Sequence, residues 1–412
     1  MAFLTGLLSI AENLNQPGGI PWEWLILKVF DFVTVYGWRI VLFTVLLKLL
    51  LYPLDIFQRY KMRKNQKITE RLKPDLDKLQ ATYADNPQVL QQKQMELNKR
   101  EGYSYFSACL PALITMIIFI WFFTSLNNIS QYMIFKQYVE WYDKYEVEYS
   151  RVLEENDYDS YLAIVEDENS TSDEVKQAQD KLVEIKRIAV EAGQTVVYDF
   201  YYGEEGNRES FLWIKNIWSP DVPWKKPILD ASGFDGAVGN WDTNAKKSGL
   251  DESTLALLKN SYDDVTGKLQ KDEGNVANGY LILPILAAGL SFLSQFLSMR
   301  LQKKSGQPQA AGMGGMKFMM FLFPILMIFF AVGYTSAFAL YIVLNSGFTV
   351  LLNLLSTGIF AIKDRGAEKK ATETIIRYGR PDPHEFISKD NRANSDRGTG
   401  DGKKTGGNRK GK

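Results

Sequence analysis

The sequence predicts an all-α polytopic membrane protein with five transmembrane helices, a cytoplasmic helical hairpin and an α-rich extracytoplasmic insertion. Two observations carry that prediction. No charged residue occurs from Phe106 to Ser130, from Leu281 to Met299 or from Phe318 to Ile362. An apolar, charge-free run of about 18 residues or more is long enough to enter a bilayer as a helix. The charges also segregate: Gln131 to Tyr280 carries 30 acidic and 16 basic residues, in a chain whose 48 Lys and Arg otherwise balance 48 Asp and Glu.

Each element follows in order. Residues 1–37 form an outer amino-terminal region. "MAFLTGLLSIAENL" has no basic residue before its short apolar stretch, so it is not expected to act as a signal peptide, and it lacks a lipoprotein cysteine. "IPWEWLILKVFDFV" mixes aromatic and charged residues and is expected to lie as a helix in the outer interface, the alternative being a first span beginning near Trp24. The first span is residues 38–57. It is followed at 58–105 by a segment of helical composition interrupted by the turn signal "ADNP", which predicts two antiparallel helices of about 25 and 14 residues. The second span is 106–128. The acidic insertion occupies 129–278, the third span 279–299 and a basic loop 300–317. The run from Phe318 is about twice the length of one crossing and is broken by "VGYTSA". It therefore reads as a fourth span at 318–335, a tight turn, and a fifth at 337–362. The tail, 363–412, is Gly-rich and basic and is expected to be disordered.

Orientation follows from short basic loops staying in the cytoplasm. Asp55 to Glu101 has 11 basic and 7 acidic residues, Arg300 to Lys317 has 4 and none, and the tail has 14 and 8. These three belong inside and the acidic block outside. Five spans then place the amino terminus outside and the carboxyl terminus in the cytoplasm.

Within the insertion, "TSDEVKQAQDKLVEIKRIAVEAG" carries the capping pair Thr171 and Glu174 ahead of helical spacing at Val175, Leu182, Ile185 and Val190. "DESTLALLKNSYDDVTGKL" predicts another helix, and "VVYDFYYG" a strand.

The composition excludes much chemistry. One Cys and one His rule out a disulfide framework or a Cys/His zinc site within one chain. No phosphate-binding G-x-x-x-x-G-K-[ST] loop occurs. No metal, cofactor or catalytic residue is expected.

The unusual feature is Lys48, inside "LFTVLLKLLLYPLDIF". An ammonium at the centre of a bilayer costs roughly 2.5–3.5 kcal/mol on insertion scales. At 1.5 Å per residue it lies about 10 Å from Asp55 and about 14 Å from Arg39 along the helix. It either snorkels to the headgroups or faces polar company. That company is available: Thr115, Thr124 and Ser125; Ser291, Ser294 and Gln295; Thr335, Ser336, Asn345, Ser346, Thr349 and Asn353. Ser291 and Gln295 share a helix face, as do Asn345 and Thr349. Singly, each suits helix–helix hydrogen bonding; together they suit a wet cavity.

The pieces "VLLKLLLYPL", "LKPDLDKLQATYADNPQVLQQKQMELNKREG", "ACLPALITM", "FLWIKNIWSPD", "ILPILAAGLSFLSQFLS" and "MKFMMFLFPILMIFFAVGYTSAFALYIVLN" occur in that order. In this the chain resembles the YidC family of membrane protein insertases. The resemblance implies five helices around a polar groove, open to the cytoplasm and to lipid and closed outside. Its basic residue, usually Arg, matches Lys48, and its third-span glutamine matches Gln295. Two positions depart from the family pattern: Thr115 and Ile117 stand where Gln and Pro are usual. The expected substrate groove is thus Lys48, Thr115, Ser291, Gln295, Asn345 and Thr349. Arg59, Lys61, Arg63, Lys64 and Pro74 would form a docking face on the hairpin, which could equally be a solvated spacer. The implied partners are nascent membrane proteins, the ribosome (through hairpin and tail), the lipid bilayer and, where the protein does not act alone, the general secretion (Sec) translocon. A transporter, a channel or a membrane sensor would also use intramembrane polar residues, although no internal repeat or cytoplasmic signalling domain is evident.

Overall fold

The computed structural model describes residues 10, 14–103, 105–239, 249–303, 325 and 328–378. It divides into two compact units, Met1–Leu351 and Leu352–Lys412. The elements are α1 (Pro21–Trp24), α2 (Tyr36–Thr82), α3 (Pro87–Arg100), α4 (Tyr105–Glu155), α5 (Tyr158–Glu166), α6 (Ser172–Gly203), α7 (Ala231–Val238), α8 (Glu252–Asn260), α9 (Tyr262–Glu273), α10 (Ile282–Lys303) and α11 (Ser336–Tyr378). Among the described residues there is no β-strand, only an isolated bridge between Phe211 and Ile214. Among the described residues, three helices are long and apolar enough to cross a membrane: α2, α4 from Met116, and Ser336–Leu355 of α11; Ile282–Leu297 of α10 is apolar but shorter. Most of the expected fourth span and basic loop lies outside the described residues.

Helix α2 is continuous for 47 residues, with Pro53 and Pro74 inside it. The first span and the first hairpin helix, expected as separate elements, are therefore one continuous helix. Each proline removes one backbone hydrogen bond, whereas leaving the helix in hydrocarbon would strand several polar groups at several kcal/mol each. The leucines around Pro53 also favour helix strongly. Beyond the span, α3 folds back along the distal half of α2. Asn86 caps α3 by accepting from the Val89 amide at 3.3 Å, with Pro87 in the first turn. Ile68, Leu72, Leu76 and Leu97 are buried between the two helices, and Arg71 meets Glu101 at 2.9 Å.

Helix α4 runs 51 residues, from the bilayer into the insertion, and pairs antiparallel with α6. Trp141 meets Tyr201, while Tyr145 lies against Gly193, so the register descends on α6 as it rises on α4. The buried stripe of α6 is Ala178, Ile185, Ala189, Gly193, Val197 and Tyr201. Its spacing is helical. This overturns the strand expected at "VVYDFYYG": β-branched and aromatic residues suited a strand, but the helical stripe continues through them and tertiary packing decides. The capping box is in place, the Thr171 amide donating to Glu174 at 2.9 Å and the Glu174 amide to Thr171 at 3.4 Å.

The segment expected as one helix after Asp251 is two, α8 and α9, meeting at Ser261. The interfacial helix expected over Ile20–Val33 shrinks to α1 and a π-turn at Leu25–Val29. Finally, α11 extends to Tyr378, so the first part of the tail is helical. "AEKKATETIIRY" consists largely of helix-favouring residues; the Gly-rich composition that suggested disorder begins beyond it, outside the described residues.

Candidate functional site in the helix bundle

The end of the bundle beside the insertion is filled with aromatic side chains. Phe43 of α2 stacks on Phe122 of α4, with ring centres 4.9 Å apart and planes within 8°. Tyr341 of α11 lies 4.1 Å from Phe122, and Phe123 meets Phe338 edge-on at 5.0 Å. Such pairs contribute about 0.5–1.5 kcal/mol each beyond the area they bury. Two hydroxyls at this level are satisfied within their own helices. The Thr44 hydroxyl donates to the Ile40 carbonyl at 2.7 Å, and Ser125 to Trp121 at 3.0 Å.

Above this layer lies a buried knot formed by "NIWSPD". The Asp221 carboxylate accepts from the Tyr280 and Leu283 amides, both at 2.7 Å, and from the Trp213 indole at 3.3 Å. It thereby caps the first turn of α10 across 62 residues of chain. The carbonyls of Ser219 and Ile217 accept from the Ser336 and Ala337 amides at 3.0 Å each, capping α11. Four amides at each helix start lack intrahelical partners, and near hydrocarbon an unmet one is costly. Asn278 holds the knot closed. Its side-chain amide donates to the carbonyls of Asn216, Ser219 and Pro220 at 3.0, 3.1 and 2.9 Å, and its oxygen accepts from the Asn216 amide at 2.8 Å. One short loop therefore fixes the starts of two apolar helices. Gly279 allows the close approach: a Cβ there would overlap the Asp221 carboxylate.

Toward the other end, packing loosens. On α2, Ile40, Phe43, Thr44 and Leu47 are buried, but Lys48, one turn beyond Thr44, is half-buried and Leu49 and Leu50 are exposed. On α4, Met116, Ile117, Ile120 and Trp121 are exposed before burial begins at Phe122. On α10, Leu283, Ala287 and Ser291 are buried, and Gln295 is half-buried. On α11, Ala337 to Ile342 are buried, while Asn345 and Thr349 are half-buried.

Of the expected groove residues, the structure joins Ser291 to the neighbouring helix, its hydroxyl 3.0 Å from that of Ser346. The Thr349 hydroxyl donates to the Asn345 carbonyl at 2.8 Å, so this pair is linked within α11. Lys48 on α2 and Gln295 on α10 are each half-buried. The side chain of Thr115 lies outside those described. On the hairpin, Arg59, Lys61 and Arg63 are half-buried and Lys64 and Pro74 exposed; the Lys61 ammonium sits 5.3 Å from the Phe57 ring centre. No group of three His, Cys, Asp or Glu side chains able to hold a metal occurs among the described residues.

Sequence reasoning missed three polar anchors. Glu23 is buried, accepting from Asn128 at 2.7 Å and from the Ile20 amide at 3.1 Å, which ties α1 to α4. Arg39, also buried, pairs with Asp31 at 3.2 Å and lies over the Tyr36 ring at 4.2 Å. Asp221 was visible only as part of a quoted motif. For Glu23 the available signal was an acid between Trp22 and Trp24 just ahead of an apolar run.

These features can be set against known proteins. The chain is 35% identical over 122 residues to the membrane protein insertase YidC of Leptospira interrogans serovar Lai, covering 28% of this chain and 19% of that one. It is 39% identical over 94 residues to the protein of that name from Clostridium tetani, covering 23% and 41%. The Oceanobacillus iheyensis counterpart is 35% identical over 134 residues, covering 28% and 52%. The aligned stretch thus spans about a fifth of the Leptospira relative and about half of the Oceanobacillus one. A family model described as 60Kd inner membrane protein matches residues 28–361. The chain belongs to the 60Kd inner membrane protein family.

Proposed function

We propose that the chain is a membrane protein insertase, with five spans around a polar groove open to the cytoplasm and to lipid. The observation that carries this reading is the change in packing along the bundle. Tight aromatic burial at the insertion end gives way to half-buried Lys48, Gln295, Asn345 and Thr349, with Ser291 and Ser346 still buried beside them. The relatives' printed name agrees with it.

The mechanism needs no covalent step. A nascent membrane protein, delivered by a ribosome to the α2–α3 hairpin and the basic tail, places a short polar segment in the groove. Water, hydroxyls, amides and the Lys48 ammonium replace bulk solvation, so the segment crosses less hydrocarbon and its desolvation barrier falls. Acidic residues in that segment are drawn to Lys48. The apolar remainder then slides sideways into lipid, with or without the Sec translocon alongside. In this reading the hairpin is cytoplasmic and the acidic insertion lies outside.

Complementation of a strain depleted of its own insertase tests the role of Lys48. Lys48→Arg should support insertion, and Lys48→Ala should weaken it. Lys48→Glu should impair substrates with acidic outer segments most. Normal insertion of every substrate by Lys48→Ala would remove the charge from the mechanism.

A further inference from the structure

The insertion is acidic overall, yet the charge exposed on its stretch from Phe211 to Pro227 is basic. In the stretch from Phe211 to Pro227 the only acid is Asp221, which is buried and accepts three hydrogen bonds. Its other charges, Lys215, Lys225 and Lys226, are all exposed. They lie close together: the Lys215 amide donates to the Asn278 carbonyl at 3.1 Å, and the Asn278 amide to the Lys225 carbonyl at 2.8 Å. Beside them project Leu212, Trp224 and Tyr280, 69%, 62% and 60% exposed. Leu212 does so from a left-handed backbone, φ 56°, that a leucine adopts only at a cost.

Two landmarks place this patch at the edge of the bilayer. Trp38, which opens the apolar run of α2, meets Phe211 edge-on at 5.4 Å. Tyr280 stands two residues before α10 enters its own apolar run. Exposed aromatic and leucine side chains next to lysines match the headgroup region, where rings sit among glycerol and carbonyl groups and ammonium groups reach phosphates.

We propose that Leu212, Trp224 and Tyr280 dip into the leaflet facing the insertion while Lys215, Lys225 and Lys226 bind anionic phospholipid headgroups. The patch holds an acidic domain against a surface that would otherwise repel it, and this does not depend on the insertase reading. Attraction of a lysine to an anionic surface corresponds to about a fivefold preference per residue, and roughly a hundredfold for three.

The test uses the full chain in lipid vesicles, with a spin label at Pro223→Cys and Cys109→Ser removing the native thiol. Immersion is read as the ratio of oxygen to nickel-chelate accessibility. In vesicles with phosphatidylglycerol the label should be oxygen-accessible, and in pure phosphatidylcholine it should be exposed to nickel chelate. Replacing Lys215, Lys225 and Lys226 together with Gln should abolish the difference, and with Arg should preserve it, at unchanged helix content. A label exposed to water in both vesicles would overturn the proposal. So would immersion independent of lipid charge, or protection found only in native membranes, which would assign the patch to a protein partner.

Discussion

Asp221→Asn is the sharpest probe of the knot that starts α10. The wild-type carboxylate accepts from Tyr280 and Leu283 with different oxygens, each at 2.7 Å. An asparagine keeps the shape but turns one oxygen into a donor, so one of the two amides faces a like group. Losing one charge-assisted bond costs about 1.5–3 kcal/mol, and losing a negative charge at a helix start about 0.3–1 kcal/mol more. A local loss of about 2–4 kcal/mol speeds opening roughly 30- to 900-fold. Hydrogen–deuterium exchange by mass spectrometry of the detergent-solubilised protein reads this directly in peptides covering 279–286. Peptides from α3 should exchange as before. If exchange at 279–286 changed less than about threefold, the carboxylate would not be what holds the helix start, and the account of the knot would fail.

Other perturbations test separate parts of the structure. Burial pushes the Glu209 carboxyl up to about 8, with Glu140 adding to the shift and Lys136 and Arg39 opposing it. The folded state therefore holds this proton more tightly than the unfolded chain does. The resulting stability is complete below the ordinary value of 4.5 and is lost as pH rises toward 8. Thermal unfolding should fall by about 5–10 °C across that window, and Glu209→Gln should flatten the profile; an unchanged slope in the variant would assign it elsewhere. Leu72→Ala removes a side chain from the small hairpin core at a cost of about 2–4 kcal/mol. Trypsin should then cut within 58–100 much faster while α4–α6 stay resistant, and uniform loss of resistance would contradict an independently packed hairpin. A Cβ at Gly37 would overlap the Phe211 ring, so Gly37→Ala should lower stability by about 1–3 kcal/mol. Adding Phe211→Ala should cost less than the sum of the two single changes; strict additivity would mean the ring does not set that approach.

Much of this architecture could be read from the chain because hydrocarbon imposes a simple rule, that long charge-free segments become helices. The hairpin turn, the Thr171 capping box and the break near Thr335 were equally legible, since caps and turns act locally. The continuity of α2 from the first span into the hairpin was not legible, because Pro53 is a helix breaker in water but leaving the helix in hydrocarbon costs more. "VVYDFYYG" misled because local propensity cannot know that α4 offers a helical groove. The Lys48 position stood out by its charge alone. The knot joining Asn216, Asp221 and Asn278 could not be deduced, because its partners lie about 60 residues apart and their hydrogen bonds run to backbone groups, which have no signature in sequence.

The central claim is that a nascent chain occupies the space beside Lys48. The direct measurement places a photo-crosslinking residue at Leu51, one turn along α2, and translates a ribosome-bound membrane protein in the presence of vesicles holding the full chain. The account predicts crosslinks to the polar outer segment of the nascent chain, strengthened by acidic residues there and weakened by Lys48→Glu. Crosslinks to lipid alone, together with movement of a small solute across the same vesicles, would contradict it and identify a transporter instead.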